Sequence, residues 1–188
     1  MPISTIPTSG LSSDQGVNFR NLIINGDMSI AQRGTQTTGI TSAGYFTVDR
    51  YRFGVSSLGG WTMAQSTVVP SGQGFAKSLK IDCTTADASP ASGDECAINI
   101  RLEGQNLQSI KKGSSNAESL TLSFWVRSAI TGTFIVELDD RDNTRSCSKS
   151  YTISSADTFE KKTITFPADT TGTFDNDNAR SLQLNLWL

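Results

Sequence analysis

Residues 120–127 constrain the fold of this chain more than any other stretch. Apolar and polar residues alternate strictly through Leu-Thr-Leu-Ser-Phe-Trp-Val-Arg. Successive side chains of a β-strand point to opposite faces, so this pattern predicts a strand with one buried face. Burial of the four apolar side chains would stabilise the fold by roughly 1.5–3 kcal/mol each. We therefore predict a central strand of an antiparallel β-sandwich here.

The same two-residue alternation recurs along the chain and predicts about nine strands. The other segments that it favours are residues 21–30, 45–53, 61–63, 79–83, 96–102, 133–139, 147–153, 159–166 and 182–188. Residues 34–44 are rich in Thr, Ser and Gly and are predicted to be a loop, and residues 105–112 one short helical turn. Short strands separated by turn residues are typical of an all-β sandwich or barrel.

Residues 1–20 differ from the rest in composition. Two prolines and few apolar residues predict an extended N-terminal arm that cannot form a core of its own. One interpretation is a disordered tail. The other is an arm that docks on a partner through Ile3, Ile6 and Leu11. Residues 21–188 are predicted to form a single domain.

Charge and hydropathy exclude several functional classes. The chain has 16 basic and 18 acidic residues, which are well mixed and give a formal net charge of −2. Without a basic stripe, nucleic acid is not an expected partner. No apolar run is long enough to span a bilayer, and residues 1–20 do not resemble a secretory signal.

The chain has three cysteines, and an odd number argues against a disulfide framework. Cys83 and Cys96 are predicted to be small inward-facing core residues of a protein made in a reducing cytoplasm.

The sequence contains no histidine, which removes the commonest general base and most zinc sites. The densest carboxylates, at positions 139, 140 and 142, fall in a predicted turn. We therefore expect no enzymatic activity and no cofactor. Asp175, Asp177 and Asp27 are candidate calcium ligands, although local turn hydrogen bonds explain aspartates at such positions equally well.

Two tryptophans are predicted to lie on strand faces opposite the core. Trp125 and Trp187 stand among residues that alternate with buried leucines. Aromatic faces stack on sugars or fill protein interfaces. Polar residues that could share this face are Arg127, Arg101, Asn99, Gln183 and Asn185. A subunit contact is the favoured interpretation of the face, with a glycan site as the alternative.

Four stretches in order resemble jelly-roll carbohydrate-binding modules. They are Asn-Leu-Ile-Ile-Asn-Gly-Asp-Met at residues 21–28, Ser-Leu-Lys-Ile at 78–81, Leu-Thr-Leu-Ser-Phe-Trp-Val at 120–126 and Phe-Glu-Lys-Lys-Thr-Ile-Thr-Phe at 159–166. The resemblance covers residues 21–188 and implies a jelly-roll β-sandwich. Modules of this type close with one more strand after residues 182–188, so the expected sandwich lacks its final strand and leaves an unpaired apolar edge. We expect either that the natural protein is longer, with this chain as its N-terminal part, or that a neighbouring subunit supplies the missing strand, and we favour the first.

A longer string is similar to virion structural and tail-fibre-like proteins of bacteriophages. It runs through Ile-Ala-Gln-Arg-Gly at residues 30–34 to Tyr-Phe-Thr-Val-Asp-Arg-Tyr-Arg-Phe at 45–53. This family implies a jelly-roll carried on a virion assembled in the host cytoplasm, a homotrimer, and other virion proteins as partners. The resulting expectation is a tail fibre or fibre-like component, whose arm docks to the particle and whose jelly-roll serves assembly or recognition of a host-surface glycan. A free carbohydrate-binding module and a capsid decoration protein are the alternatives.

Overall fold

The computed structural model describes residues 21–188, and the proposed docking residues Ile3, Ile6 and Leu11 lie outside the described residues. This part of the chain is all-β with antiparallel sheets, as predicted. Its nine strands are β1 (Gln36–Gly44), β2 (Tyr51–Ser66), β3 (Ser78–Thr85), β4 (Glu95–Glu103), β5 (Leu120–Val126), β6 (Gly132–Asp140), β7 (Arg145–Ile153), β8 (Glu160–Phe166) and β9 (Arg180–Trp187). Two single-turn 3-10 helices, Gly104–Asn106 and Gln108–Ile110, lie near the predicted helical turn. Within residues 21–188 no helix has the length and apolar character needed to cross a membrane.

Seven strands form one sheet, and two form another. The large sheet has the order β1-β2-β4-β9-β6-β7. β2 is 16 residues long, so its first half pairs with β4 and its second half with β3. β5 and β8 form the two-stranded sheet.

β5 has the predicted alternation but not the predicted central position. Leu120, Leu122 and Phe124 pack against the core, whereas Thr121 and Ser123 are exposed. β5 pairs with β8 alone among the described strands. Alternation reports which face of a strand is buried and not how many neighbours the strand has, which is why its place in the sheet was predicted wrongly.

Side chains from both sheets share one core. Phe53 and Met63 of β2 are fully buried there. The ring of Tyr151 on β7 meets Phe124 of β5 edge-on, with centroids 5.2 Å apart, and stacks on Phe134 of β6 at 5.8 Å. Tyr151 therefore links the large sheet to the small one.

The last strand of the sequence is not an edge strand. β9 pairs with β4 on one side and with β6 on the other. The unpaired apolar edge that we expected at residues 182–188 is therefore absent from the described fold. Because β9 has a neighbouring strand on each side, its polar residues Gln183 and Asn185 are buried as well as Leu182 and Leu184.

The first described segment differs most from the sequence prediction. Residues 21–30 form turns rather than a strand, and Ile24 and Ile30 are about half exposed. Asn25 adopts a positive φ of 59°, and its amide nitrogen donates to the carbonyl oxygens of Ile30 and Asp49 at 2.9 and 3.0 Å. The predicted Asn25-Gly26 turn is present, and its role is to fasten this segment to the start of the sheet.

Three strand boundaries were also predicted wrongly. The strand predicted at residues 45–53 begins only at Tyr51. The Thr-rich stretch that we predicted as a loop contains β1, whose pairing with β2 is interrupted by register irregularities. Backbone hydrogen bonding to an edge requires no apolar alternation, so the sequence carried no signal for β1. The separate strand predicted from Trp61 is the second half of β2.

The three cysteines are free thiols in different environments. Cys96 is buried as predicted, but Cys83 is exposed and Cys147 is intermediate. Cys83 begins the last three residues of β3, all of which are exposed. Burial raises the pKa of the Cys96 thiol to about 12, with a smaller contribution from Cys83.

Candidate functional site

A row of polar side chains crosses the large sheet on the face turned away from the core. The register places Arg52 of β2 opposite Asn99 of β4, Asn99 opposite Asn185 of β9, and Asn185 opposite Glu137 of β6. The residues that alternate with them in each strand pack into the core. Strand periodicity therefore brings four polar residues, distant in sequence, onto one surface, which we call the outer face.

The row is joined by hydrogen bonds from end to end. Arg52 Nη1 donates to Asn99 Oδ1 at 2.8 Å. Asn99 Nδ2 donates to Asn185 Oδ1 at 2.9 Å, and Asn185 Nδ2 donates to Glu137 Oε2 at 3.1 Å. A cation at one end and a carboxylate at the other are thus linked through two amides.

A second set of bonds meets this row at β9. Arg101 Nε and Arg180 Nη1 both donate to Gln183 Oε1, at 3.1 and 2.8 Å. Gln183 Nε2 then donates to Asn185 Oδ1 at 2.7 Å. The two arginine side chains therefore flank a single oxygen atom beside the row.

Trp187 lies at the carboxylate end of the outer face. Its Nε1 donates to Glu137 Oε2 at 3.0 Å, the same oxygen that accepts from Asn185. Glu137 Oε1 accepts no hydrogen bond from residues 21–188 and remains able to bind a hydroxyl group. The indole is partly exposed, so its ring is available for stacking.

The amides form a floor beneath the charged and aromatic groups. Asn99, Asn185 and Gln183 are 5%, 4% and 9% exposed, whereas Arg52 and Glu137 are partly exposed. Because buried polar groups held by hydrogen bonds have few alternative positions, the floor fixes the side chains above it.

Gly54 makes room for this arrangement. It lies two residues beyond Arg52 on β2, facing the same side. A Cβ atom at Gly54 would lie 2.5 Å from Asn99 Oδ1 and 3.3 Å from Arg52 Nη1. Any larger residue would therefore displace the amide that Arg52 binds.

The outer face holds a cleft of about 590 Å³. The residues described above line it together with Glu95, Ala97, Asp139, Arg141, Thr144, Arg145 and Ser146. A second cleft of about 420 Å³ adjoins it and shares Arg101 and Arg180. These two arginines therefore stand between the clefts.

Positive charge is concentrated at one end of the site. Arg52, Arg101 and Arg180, which we call the arginine group, form no ion pair within 4 Å with any residue of the described chain. Burial, and then the charge of Arg101, lowers the pKa of both Arg52 and Arg180. Arg141, in contrast, is paired with Asp139 at 3.0 Å.

The structure brings together some of the predicted site residues and separates others. Trp187, Arg101 and Asn185 lie together on the outer face, with Asn99 and Gln183 between them. Trp125 and Arg127 do not join them, because Trp125 lies on β5 of the other sheet, opposite Lys161, and Arg127 follows that strand and pairs with Asp157 at 2.9 Å.

Sequence reasoning missed Arg52, Arg180 and Glu137. Arg52 lies between the core residues Tyr51 and Phe53, so alternation predicted that its side chain faces away from the core. Alternation did not predict which side chains of other strands lie beside it. Glu137 was assigned to solvent because nothing in the sequence pairs β6 with β9, which starts some forty residues later. Long-range strand pairing created the site, and no local pattern encodes it.

Two of the three candidate calcium ligands, Asp27 and Asp177, make local turn contacts. Asp27 Oδ1 accepts from the backbone and hydroxyl of Ser29, and Asp177 Oδ1 accepts from the backbone of Ala179. The backbone nitrogen of Asp175 donates to Asp142 Oδ2 at 3.0 Å. In the part of the chain that the structure describes, no three acidic or cysteine side chains come together as a metal site.

Comparison with known proteins gives a distant structural likeness. No family model matches the chain, and no curated protein matches it. Among solved structures, the chain is similar to the enzymatically active domain of tailspike protein 4 of bacteriophage CBA120, with 14% identity and a TM-score of 0.46. The match covers 88% of this chain and 20% of that one, so the chain spans about a fifth of its length.

Our expectation that the chain is not an enzyme does not stand, because it was drawn from an absence, the lack of histidine. The similar domain of the tailspike protein is described as enzymatically active. That description applies to the tailspike domain and not to this chain. The outer face adds a physical correction, because Glu137 and Asp139 line the cleft rather than standing free in solvent. The lack of histidine is therefore not a sufficient ground for excluding catalysis, since carboxylates alone cleave glycosides.

Proposed function

We propose that this chain is a tail fibre or fibre-like component of a bacteriophage virion and that it binds a host-surface glycan on its outer face. The observation that carries the glycan proposal is the hydrogen-bonded row from Arg52 through Asn99 and Asn185 to Glu137, open to a cleft of about 590 Å³ with Trp187 beside it.

The chemistry of this face suits a sugar. A sugar hydroxyl both donates and accepts hydrogen bonds, and the partly exposed Arg52 and Glu137 supply donors and an acceptor of fixed position. Trp187 supplies an aromatic face beside them, on which the apolar side of a pyranose ring packs. Because the buried amides already hold these groups, little side-chain freedom is lost when a ligand binds.

The same features argue against a subunit contact on the outer face. The centre of a stable protein interface is apolar and depleted of charged residues. The centre of the outer face consists of amides, with three unpaired guanidinium groups and a carboxylate around them. A partner subunit would have to desolvate all of these charges.

We also propose that the two sheets are the halves of a jelly-roll β-sandwich. The ring contacts of Tyr151 with Phe124 across the two sheets support this arrangement. The virion assignment draws on the resemblance carried by residues 21–53. In this proposal the N-terminal arm, with Ile3, Ile6 and Leu11, docks a trimer onto other virion proteins.

The glycan proposal is tested with two tryptophan variants on an array of bacterial O-antigens and capsular polysaccharides from the phage's host. We expect Trp187→Ala to lose binding and Trp125→Ala to bind as the unaltered protein does. Release of reducing ends is measured on the same glycans, which separates binding from cleavage. Equal loss in both variants, or binding by neither the variants nor the unaltered protein, would contradict the proposal.

The virion proposal is tested on particles. Deletion of residues 2–20 is expected to yield purified phage that lack the protein, and native mass spectrometry of the soluble protein is expected to give three copies. A monomer that binds glycans but is absent from purified particles would instead identify a free carbohydrate-binding module.

A further inference from the structure

The arginine group differs from four other arginines of this protein, which are paired with carboxylates. Arg33, Arg127, Arg141 and Arg145 each lie within 4 Å of a carboxylate oxygen. Arg52, Arg101 and Arg180 instead donate to the neutral amide oxygens of Asn99 and Gln183. An amide oxygen holds a guanidinium group in place without neutralising its charge.

The three positive charges of the arginine group repel one another. Arg101 and Arg180 bind the same oxygen of Gln183, and Arg52 is attached to the amide of Asn99, two residues from Arg101 along β4. In support of this geometry, the charge of Arg101 acts to lower the pKa of both other members. The carboxylates of Glu95 and Asp139 act on the pKa values of Arg52 and Arg180, respectively, in the opposite sense, but less strongly than Arg101 does. Like charges held together by a rigid floor therefore leave a region of positive potential at the mouth of the cleft.

We propose that the arginine group binds an acidic substituent of the glycan, a carboxylate or a phosphate. This inference rests on the proposed glycan binding and goes beyond it, because it names the class of saccharide. Each guanidinium has five N–H donors, and the structure uses one on each of these three side chains for the amide contacts. The remaining donors match the oxygen pairs of a carboxylate or phosphate, which arginine binds in a bidentate manner.

The opposite end of the site fixes the direction of the ligand. Glu137 lies at the far end of the row from Arg52 and would repel an acidic group. A neutral sugar ring is therefore expected beside Trp187 and Glu137, and the acidic unit beside the arginine group.

The test compares acidic and neutral members of the same array of O-antigens, capsular polysaccharides and teichoic acids. We expect the unaltered protein to bind acidic members and not neutral ones. Each bound polysaccharide is then measured after chemical reduction of its carboxylates or removal of its phosphates, and the treatment that abolishes binding identifies which anion is recognised. Binding of neutral and neutralised polysaccharides as tight as that of acidic ones would overturn this inference and leave the proposed function standing.

An arginine variant provides the second arm of the test. Arg101→Gln is expected to weaken binding of the acidic glycan about tenfold or more, because one charge-assisted contact is lost. Arg180 still donates to Gln183 in this variant, so the floor is retained. Arg127→Gln, on the other sheet, is the matched control and should bind unchanged. Equal affinities of all three proteins for the acidic glycan would also overturn the inference, whereas absence of binding to every glycan would refute the proposed function itself.

Discussion

Asn99 Nδ2 donates a hydrogen bond of 2.9 Å to Asn185 Oδ1, joining two amides that lie directly opposite each other on β4 and β9. Both side chains are about 5% exposed or less. Two buried amides in the middle of a sheet are costly unless each finds partners. Here they are the centre of a network that reaches Arg52 on one side and Glu137 on the other.

The first prediction concerns the stability of this network. Asn185→Leu should lower the free energy of unfolding by about 3 kcal/mol, because the amide nitrogens of Asn99 and Gln183 lose their acceptor while staying buried. Urea denaturation measures the change. The exposed Asn116→Leu serves as the control and should change stability by less than about 0.5 kcal/mol. A small effect of Asn185→Leu would mean that water already reaches these amides.

The second prediction concerns the contribution of Arg52 to glycan affinity. Gly54→Ala should break the Arg52–Asn99 hydrogen bond, because the added methyl group would overlap Asn99 Oδ1. We expect glycan affinity to fall about tenfold, in line with loss of one charge-assisted hydrogen bond. Calorimetric titration measures this affinity. Gly93→Ala, where a Cβ meets nothing within 4 Å, is the control, and unchanged affinity in both variants would show that Arg52 takes no part in binding.

The third prediction concerns a buried lysine outside the site. Lys112 Nζ lies 2.8 Å from Asp140 Oδ2 and 3.3 Å from Asp169 Oδ2, and it also donates to the carbonyl oxygens of Thr171 and Gly172. The side chains of Lys112 and Asp140 are both 7% exposed. Lys112 therefore attaches the loop before β9 to the end of β6.

Lys112→Met should lower the free energy of unfolding by about 3–5 kcal/mol, because Asp140 is left as an uncompensated buried charge. The adjacent Lys111, whose side chain is 44% exposed and lies 3.8 Å from Glu118, offers a matched control. Lys111→Met should cost less than about 1 kcal/mol, as exposed ion pairs do. Similar losses in the two variants, compared by urea denaturation, would contradict the role given to Lys112.

The fourth prediction is a loss of stability in alkali. Burial raises the pKa of Tyr151 from 10.0 to about 12 and that of Cys96 from 9.0 to about 12. The unfolded chain therefore releases these protons first, so their contribution to stability is complete below about pH 9 and is lost as the pH rises towards 12.

Melting temperatures at pH 8 to 11.5 measure this loss. Tyr151→Phe keeps the ring contacts with Phe124 and Phe134 but removes one titrating group, so its melting temperature should fall less steeply above pH 10. Parallel curves for the two proteins would show that the Tyr151 hydroxyl is solvated in the folded state.

The sequence predicted the class of fold because alternation is a local property. Leu120, Leu122 and Phe124 had to share a face whatever their neighbours were, and the structure places them on the core side. The turn at Asn25 was equally local. Strand order was not, since β9 lies between β4 and β6 and no residue of β9 encodes either partner.

The candidate site was predicted only in part for the same reason. Trp187 and Asn185 belong to one strand, and Arg101 to a strand that pairs with it, so their shared face followed from alternation. Trp125 has the same pattern on a different sheet, and alternation cannot distinguish two outward faces. Arg180 could be assigned to the site only from the structure, which shows that it donates to the same Gln183 oxygen as Arg101 does.

The most direct test of the central claim uses the indole N–H signals of the protein's three tryptophans. Trp61 packs against the core, Trp125 lies on the small sheet and Trp187 on the outer face, and single Trp→Phe variants assign the three resonances. During NMR titration with fragments of an acidic polysaccharide from the host surface, the account predicts that the Trp187 signal shifts and saturates while the other two stay fixed. A shift of the Trp125 signal with Trp187 unmoved would place the ligand on the other sheet and contradict the account.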